Sequence, residues 1–232
     1  MNDNHVIIVA GGSGTRMRQS LPKQYLILED KPVLMHTIEA FYKAQSRPHI
    51  IVVIHPEMEG LWQALCKEYD FQIPHQVVYG GITRFQSVRN GLQYLESIIA
   101  HSVGHCIAIH DAARPLIQRP IIDESFELAR EKNAVVVACK STNSVRIEQD
   151  GDSQSIDRNN VWLVQTPQTF EAQLLFEAYR QDELETFTDD ASVVEKLGNT
   201  ITLIEGHYSN LKITFAEDIS IAQLYFRSFK DS

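Results

Sequence analysis

Short β-branched runs alternate with segments of helical period along most of this chain, and that alternation restricts its fold more than any other feature. The strand candidates are Val6–Ala10, Ile50–Ile54, Gln76–Tyr79, Cys106–His110, Ala134–Ala138 and Ile201–Glu205. Between the first two, Val33–Gln45 repeats its apolar members Leu34, Ile38, Phe41 and Tyr42 at helical spacing, which gathers them on one face. Glu57–Tyr69, Phe85–Ile99, Pro120–Glu131 and Glu171–Tyr179 read the same way, and Pro120 suits a first helical turn, where its missing N–H needs no partner. The pattern predicts βαβ units: an α/β, Rossmann-like, mostly parallel sheet with helices on both faces.

Lys140 to Val164 breaks the alternation. Two short alternating segments flank Asp150-Gly151-Asp152, which reads as a hairpin with a D-G turn. An exposed polar hairpin is marginal alone, so it is expected to pack on another chain or on the body of its own. No repeat, low-complexity tract or linker divides the chain. Residues 1–232 are therefore expected to form one domain, with the hairpin arm at about 140–164.

Charge narrows the partners. Lys plus Arg is 21 and Asp plus Glu is 30, a net charge of −9, so no global basic field serves a nucleic acid. An anionic ligand must be held by local Arg and Lys. Cys66, Cys106 and Cys139 form no C-x-x-C pair, and the last two sit in apolar runs, as reduced thiols do. The first residues lack the basic region of a signal peptide, and no stretch approaches the ~20 apolar residues of a membrane span. The expectation is a cytoplasmic protein.

The first strand candidate runs into Gly11-Gly12-Ser13-Gly14-Thr15-Arg16, where glycines let a backbone approach a ligand and turn N–H groups toward anionic oxygens. A P-loop is excluded because Thr15 and Arg16 follow Gly14 instead of Lys and Ser or Thr. The dinucleotide fingerprint fails at Met17, and His55 stands where a ribose-binding acid would. With Arg16, Arg18 and Lys23 close by, the loop points to phosphate.

The run AGGSGTRM followed by LPKQYL resembles the signature of nucleotidyltransferases that join a nucleoside triphosphate to a sugar or polyol phosphate. Through GGITRFQSVRNGL, HDAARPL, IDRNNVW, QTPQTF, TDDAS and NLKIT, the resemblance is to the 2-C-methyl-D-erythritol 4-phosphate cytidylyltransferase family. That resemblance implies CTP and a polyol phosphate as substrates, and Mg²⁺ near Asp111. It implies catalytic roles for Arg16, Lys23, Arg158 and Lys212, with the first two stabilising charge on the α-phosphate. It implies nucleotide binding by Ala10, Gly11, Gly12, Ser13, Gly14, Gly80, Gly81, Ser87, Asp111 and Ala112. Arg114, Thr142, Arg158, Thr188 and Lys212 would surround the methylerythritol phosphate. The hairpin would be a dimerisation arm, its Thr142 and Arg158 reaching the partner's site in a homodimer.

Each residue also has a plain structural role open to it. Asp111 would brace the turn before Pro115, and Thr188, Asp189 and Asp190 have the chemistry of a helix N-cap. Arg146 and Arg158 would be solvated, and Lys212, between Leu211 and Ile213, would face water. His101 and His105 flank Gly104 and read as loop residues, not a metal pair. Ribitol 5-phosphate cytidylyltransferases look alike along the whole chain, although HDAARP and the GGITR form of the loop favour the methylerythritol family. A silent nucleotide-binding scaffold of the same fold would not need Arg16, Lys23, Asp111 and Lys212 together.

Overall fold

The structure is a computed structural model, and it describes residues 3–12, 21–99 and 103–230. Strands β1 (Asn4–Ala10), β4 (His49–Ile54), β5 (Gln76–Tyr79), β6 (Cys106–Asp111), β7 (Ala134–Lys140), β10 (Trp162–Glu171) and β11 (Thr202–Glu205) form a seven-stranded sheet in the order β11-β7-β10-β6-β1-β4-β5. Every pairing is parallel except those of β10, which runs antiparallel between β6 and β7. A small ladder of β2 (Ile27–Leu28) and β3 (Lys31–Pro32) precedes helix α1 (Val33–Lys43).

The β-branched alternation buries both faces of the sheet. Val6 and Ile8 point to one core with Leu34, Ile38 and Phe41 of α1, Trp62 of α2 (Glu59–Glu68) and Phe126 of α4 (Arg119–Lys132). Ile7 points the other way, onto Phe85, Val88 and Leu92 of α3 (Arg84–Ile99) and Leu175 of α5 (Ala172–Ala178). Gly91 lets α3 press against β1, since a β-carbon there would stand 3.0 Å from Ile7 Cγ2. Short helix α6 (Asp190–Glu195) and the long C-terminal helix α7 (Ala216–Lys230) complete the frame.

Helix ends differ from the periodicity. α1 stops at Lys43, because Ala44 is extended, and α2 is preceded by a 3-10 turn over Pro56–Met58 that the His55 side chain caps. Pro120 does sit in the first turn of α4. The sequence pattern missed β10, and its Pro167 explains why: a proline argues against a central strand. Here it falls where the β10–β7 register shifts, between Val164 and Gln168, so its missing N–H interrupts no regular ladder.

The hairpin is β8 (Val145–Gln149) paired with β9 (Asp152–Ile156), within the 140–164 stretch. Asp150 and Gly151 both have positive φ, 53° and 86°, the conformation that a two-residue D-G turn requires. Arg146 is not simply solvated, for its guanidinium grips Ser153 across the ladder at 2.7 and 2.9 Å. Cys66, Cys106 and Cys139 are free thiols, the last two buried. Among the described residues no helix is long and apolar enough to cross a membrane.

Candidate active site

The candidate site lies at the carboxyl ends of β1 and β6, where the chain's course through the sheet reverses and open α/β sheets bind ligands. At the end of β1, the buried Gln24 side chain donates from Nε2 to the Ala10 carbonyl at 2.6 Å and to the Gly12 carbonyl at 3.2 Å. Gln24 belongs to a 3-10 turn over Lys23–Tyr25, so the residue whose amide pins the Ala10 and Gly12 carbonyls is next to Lys23. Ser13, Gly14, Thr15, Arg16 and Arg18 lie outside the described residues, as does His101.

Gly80 and Gly81 follow β5, and the first turn of α3 folds Ser87 back onto them. The Ser87 hydroxyl accepts from Gly81 N at 3.1 Å and donates to the Thr83 carbonyl at 2.9 Å. A β-carbon on Gly80 would stand 2.7 Å from Ser87 Oγ, and one on Gly11 would stand 3.2 Å from it. Ser87 therefore packs against the loop after β1 and the loop after β5 at once, most tightly at Gly80, where a side chain would force it to shift.

Asp111 ends β6 in the midst of cations. Lys212 Nζ lies 2.9 Å from its Oδ2, Arg114 Nε 3.4 Å from Oδ2, and Arg84 Nε 3.8 Å from Oδ1. Burial alone would raise the Asp111 pKa, but Lys212, with Arg84 and Arg114, holds the carboxyl well below the usual carboxylate range. Lys212 reaches in because Ile213 N donates to the Ala113 carbonyl at 2.9 Å, seating its segment beside the loop after β6. The expectation that Lys212 faces solvent is thus corrected. Ala112 is buried, with its carbonyl accepting from Thr37 Oγ1 at 2.8 Å.

Arg84 is clamped from behind by Asp190, through paired bonds of 2.9 and 2.6 Å. Asp190 is fully buried and also accepts from the Tyr179 hydroxyl at 2.5 Å. Burial, reinforced by Asp190, pushes the Tyr179 phenol far above its ordinary pKa, so it stays protonated as a donor. The capping role foreseen for this stretch falls to Asp189, which accepts from Ser192 N; Asp190 instead turns inward, because Arg84 offers it a fork-shaped partner. Three cations thus meet two carboxylates, a net positive cluster in an acidic protein.

Thr142 and Arg158 meet at the foot of the hairpin, where the Arg158 guanidinium donates to the Thr142 carbonyl at 3.0 Å. Both are exposed and held to each other rather than to the Asp111 cluster. Thr188 is exposed just ahead of α6. Ser209 is buried, its hydroxyl 2.6 Å from His207 Nδ1.

Sequence reasoning missed Gln24, Arg84 and Thr166. Thr166 Oγ1 accepts from Asp111 N at 3.1 Å, which ties β10 to the end of β6. The available signals were the PKQY run beside the basic loop and the Arg inside GGITRF; nothing in QTPQTF points to a central strand.

The family model described as IspD, 2-C-methyl-D-erythritol 4-phosphate cytidylyltransferase, matches residues 4–228. The chain is 44% identical over 226 residues to the protein of that name from Azobacteroides pseudotrichonymphae genomovar. CFP2, covering 96% of this chain and 98% of the relative. It is 43% identical over 216 residues to the one from Bacteroides thetaiotaomicron, covering 93% and 96%. Among solved structures, the 4-diphosphocytidyl-2C-methyl-D-erythritol synthase of Anaerococcus prevotii superposes with a TM-score of 0.82 at 27% identity, over 97% of this chain and 96% of that one. The cytidylyltransferase of Thermus thermophilus superposes with a TM-score of 0.75 at 28% identity, over 96% and 98%.

Proposed function

The chain belongs to the 2-C-methyl-D-erythritol 4-phosphate cytidylyltransferase family, and from that membership we propose that it joins CTP to 2-C-methyl-D-erythritol 4-phosphate, releasing pyrophosphate, in non-mevalonate isoprenoid precursor synthesis. The observation that carries the reading is the cationic cluster on Asp111, beside a glycine loop folded around Ser87. A phosphate oxygen of the polyol attacks the α-phosphorus, a new P–O bond forms, and the bond to the β-phosphate breaks. Two anions must meet, so the protein's work is positioning and charge neutralisation. A unit cation at ~4 Å is worth about 4 kcal/mol at an effective dielectric near 20, before desolvation. Arg16 and Lys23 face the α-phosphate in this scheme, and Lys212 and Arg158 align the attacking phosphate. Gly80, Gly81 and Ser87 receive the cytidine, while Arg114, Thr142 and Thr188 hold the polyol.

Mg²⁺ would sit beside Asp111 with the substrate's phosphates supplying most of its non-protein ligands, since Lys212, Arg114 and Arg84 already face the carboxylate. Magnesium keeps several waters and takes one or two carboxylates together with substrate phosphates, and Asp111 is one such ionised carboxylate. Among the described residues no group of His, Cys, Asp and Glu forms a dedicated cage. When bound, the ion supplies charge neutralisation on the triphosphate.

The exposed apolar residues Ile147 on the arm and Leu163 and Val164 at its foot support a homodimer in which the arms clasp. A cytoplasmic location accords with the buried free thiols. Pyrophosphate release from CTP with Mg²⁺ and each polyol phosphate tests the whole reading. Turnover with methylerythritol phosphate, and preference for CTP over ATP, GTP and UTP, is expected. Turnover with ribitol 5-phosphate alone would overturn the acceptor, and equal use of the four nucleotides would overturn the base loop.

A further inference from the structure

We propose that Arg84 is a positioning residue that fixes the Asp111 carboxylate to the base-recognition loop, an inference that rests on the cytidylyltransferase reading. Arg84 is the first residue of α3, three positions after Gly81 and three before Ser87. Its guanidinium spends one edge on Asp190, through the paired bonds, and presents Nε toward Asp111 Oδ1 at 3.8 Å. Asp190 has no exposure and is itself held by Tyr179, so the guanidinium plane has little freedom. Lys212 and Arg114 both lie on Oδ2, whereas Arg84 faces Oδ1. The chain Tyr179, Asp190, Arg84 thus orients the Asp111 carboxylate from its Oδ1 side, opposite Lys212 and Arg114. It does so from the same helical turn that carries Ser87. Displacing the Gly80–Ser87 loop would drag Arg84 and turn the Asp111 carboxylate, so a base that fits badly would be penalised in the chemical step as well as in binding.

The test is steady-state kinetics on Arg84→Gln, Arg84→Lys and Asp190→Asn, each alone and in an Asp111→Asn background, with CD spectra and Tm recorded for all. A residue acting through another commonly costs about 10–100-fold in activity. Arg84→Gln and Asp190→Asn should each lower kcat on that scale, with a much smaller change in the KM for CTP. Arg84→Lys, which keeps the charge but not the fork, should recover part of kcat. In the Asp111→Asn background the further loss from Arg84→Gln should shrink to within about twofold, because its target is gone. Full additivity with Asp111→Asn, or a raised KM with kcat intact, would overturn the proposal and make Arg84 a nucleotide contact. If Arg84→Gln fails to fold, Arg84→Lys decides through the same double-variant comparison. Absence of CTP turnover in the unmodified enzyme would defeat the underlying function; an active enzyme with additive variants would defeat this inference alone.

Discussion

The Ser87 hydroxyl occupies the space that a β-carbon on Gly80 would need, 2.7 Å from its position. The hydroxyl cannot swing aside cheaply, because Gly81 N and the Thr83 carbonyl both hold it. Val53 closes the other side at 3.3 Å.

Gly80→Ala should therefore push the base loop outward and weaken nucleotide binding. A KM for CTP raised about tenfold is expected, equivalent to ~1.4 kcal/mol, with kcat changed less. Gly60→Ala is the control, since nothing stands within 4 Å of a β-carbon there. Equal kinetics for the two variants would show that the packing of Ser87 against Gly80 does not shape nucleotide binding.

Lys23 should act on kcat more than on ground-state binding, because charge on the α-phosphate grows during the reaction. Lys23→Ala is expected to lower kcat by roughly 10²–10³, the scale for one preorganised electrostatic donor. A raised KM for CTP with unchanged kcat would make Lys23 a binding residue only.

Arg158 should work on the partner's site. Arg158→Ala and Lys23→Ala homodimers are both expected to be nearly inactive. Re-equilibrated in equal amounts, about half the dimers become mixed, and each mixed dimer has one site with both lesions and one with neither. About a quarter of all sites should then regain activity. Cross-linking the parents before mixing should abolish the recovery. Verified exchange without recovered activity would place Arg158 in its own chain's site.

Stability should fall in mild acid. His5 stacks between His49 and His105, with Asp3 beside His105, and its Nδ1 is buried without a hydrogen-bond partner. Burial, then the neighbouring His105 and His49, depress its pKa from 6.5 to about 4. The unfolded chain therefore takes up a proton first, so stability is full above pH 6.5 and drains away as pH falls toward 4. Burial lowers His36 as well, which adds in the same direction. Urea unfolding at pH 7 and pH 5 should differ by on the order of 2 kcal/mol from His5, and His5→Gln should remove that share. An identical pH dependence in the two proteins would show that His5 is not the group responsible.

How much of this was readable beforehand depends on how far each feature reaches along the chain. Gln76–Tyr79 and the D-G turn follow from local pattern, and the structure has both where the sequence puts them. β10 was hidden because its Pro167 mimics a strand breaker, and only the register shift against β7 makes room for it. Asp190 reads locally as a cap; its burial depends on Arg84, 106 residues away. Lys212 reads as solvated because its partner Asp111 is invisible in the Leu211–Ile213 alternation. Local physics announces elements, while a charged residue's partner is set by topology.

The contact between Lys212 and Asp111 also has a consequence for a chain made from its N-terminus onward. A chain that ends at β10 carries Asp111 and Arg84 but neither Lys212, the lysine opposite that carboxylate, nor Asp190, the partner of Arg84. Lys212 is held beside Asp111 by its neighbour Ile213, whose N–H bonds to the Ala113 carbonyl. The charged set around Asp111 is thus assembled from residues 84 to 212, and a chain that lacks its last segment lacks the lysine on that carboxylate.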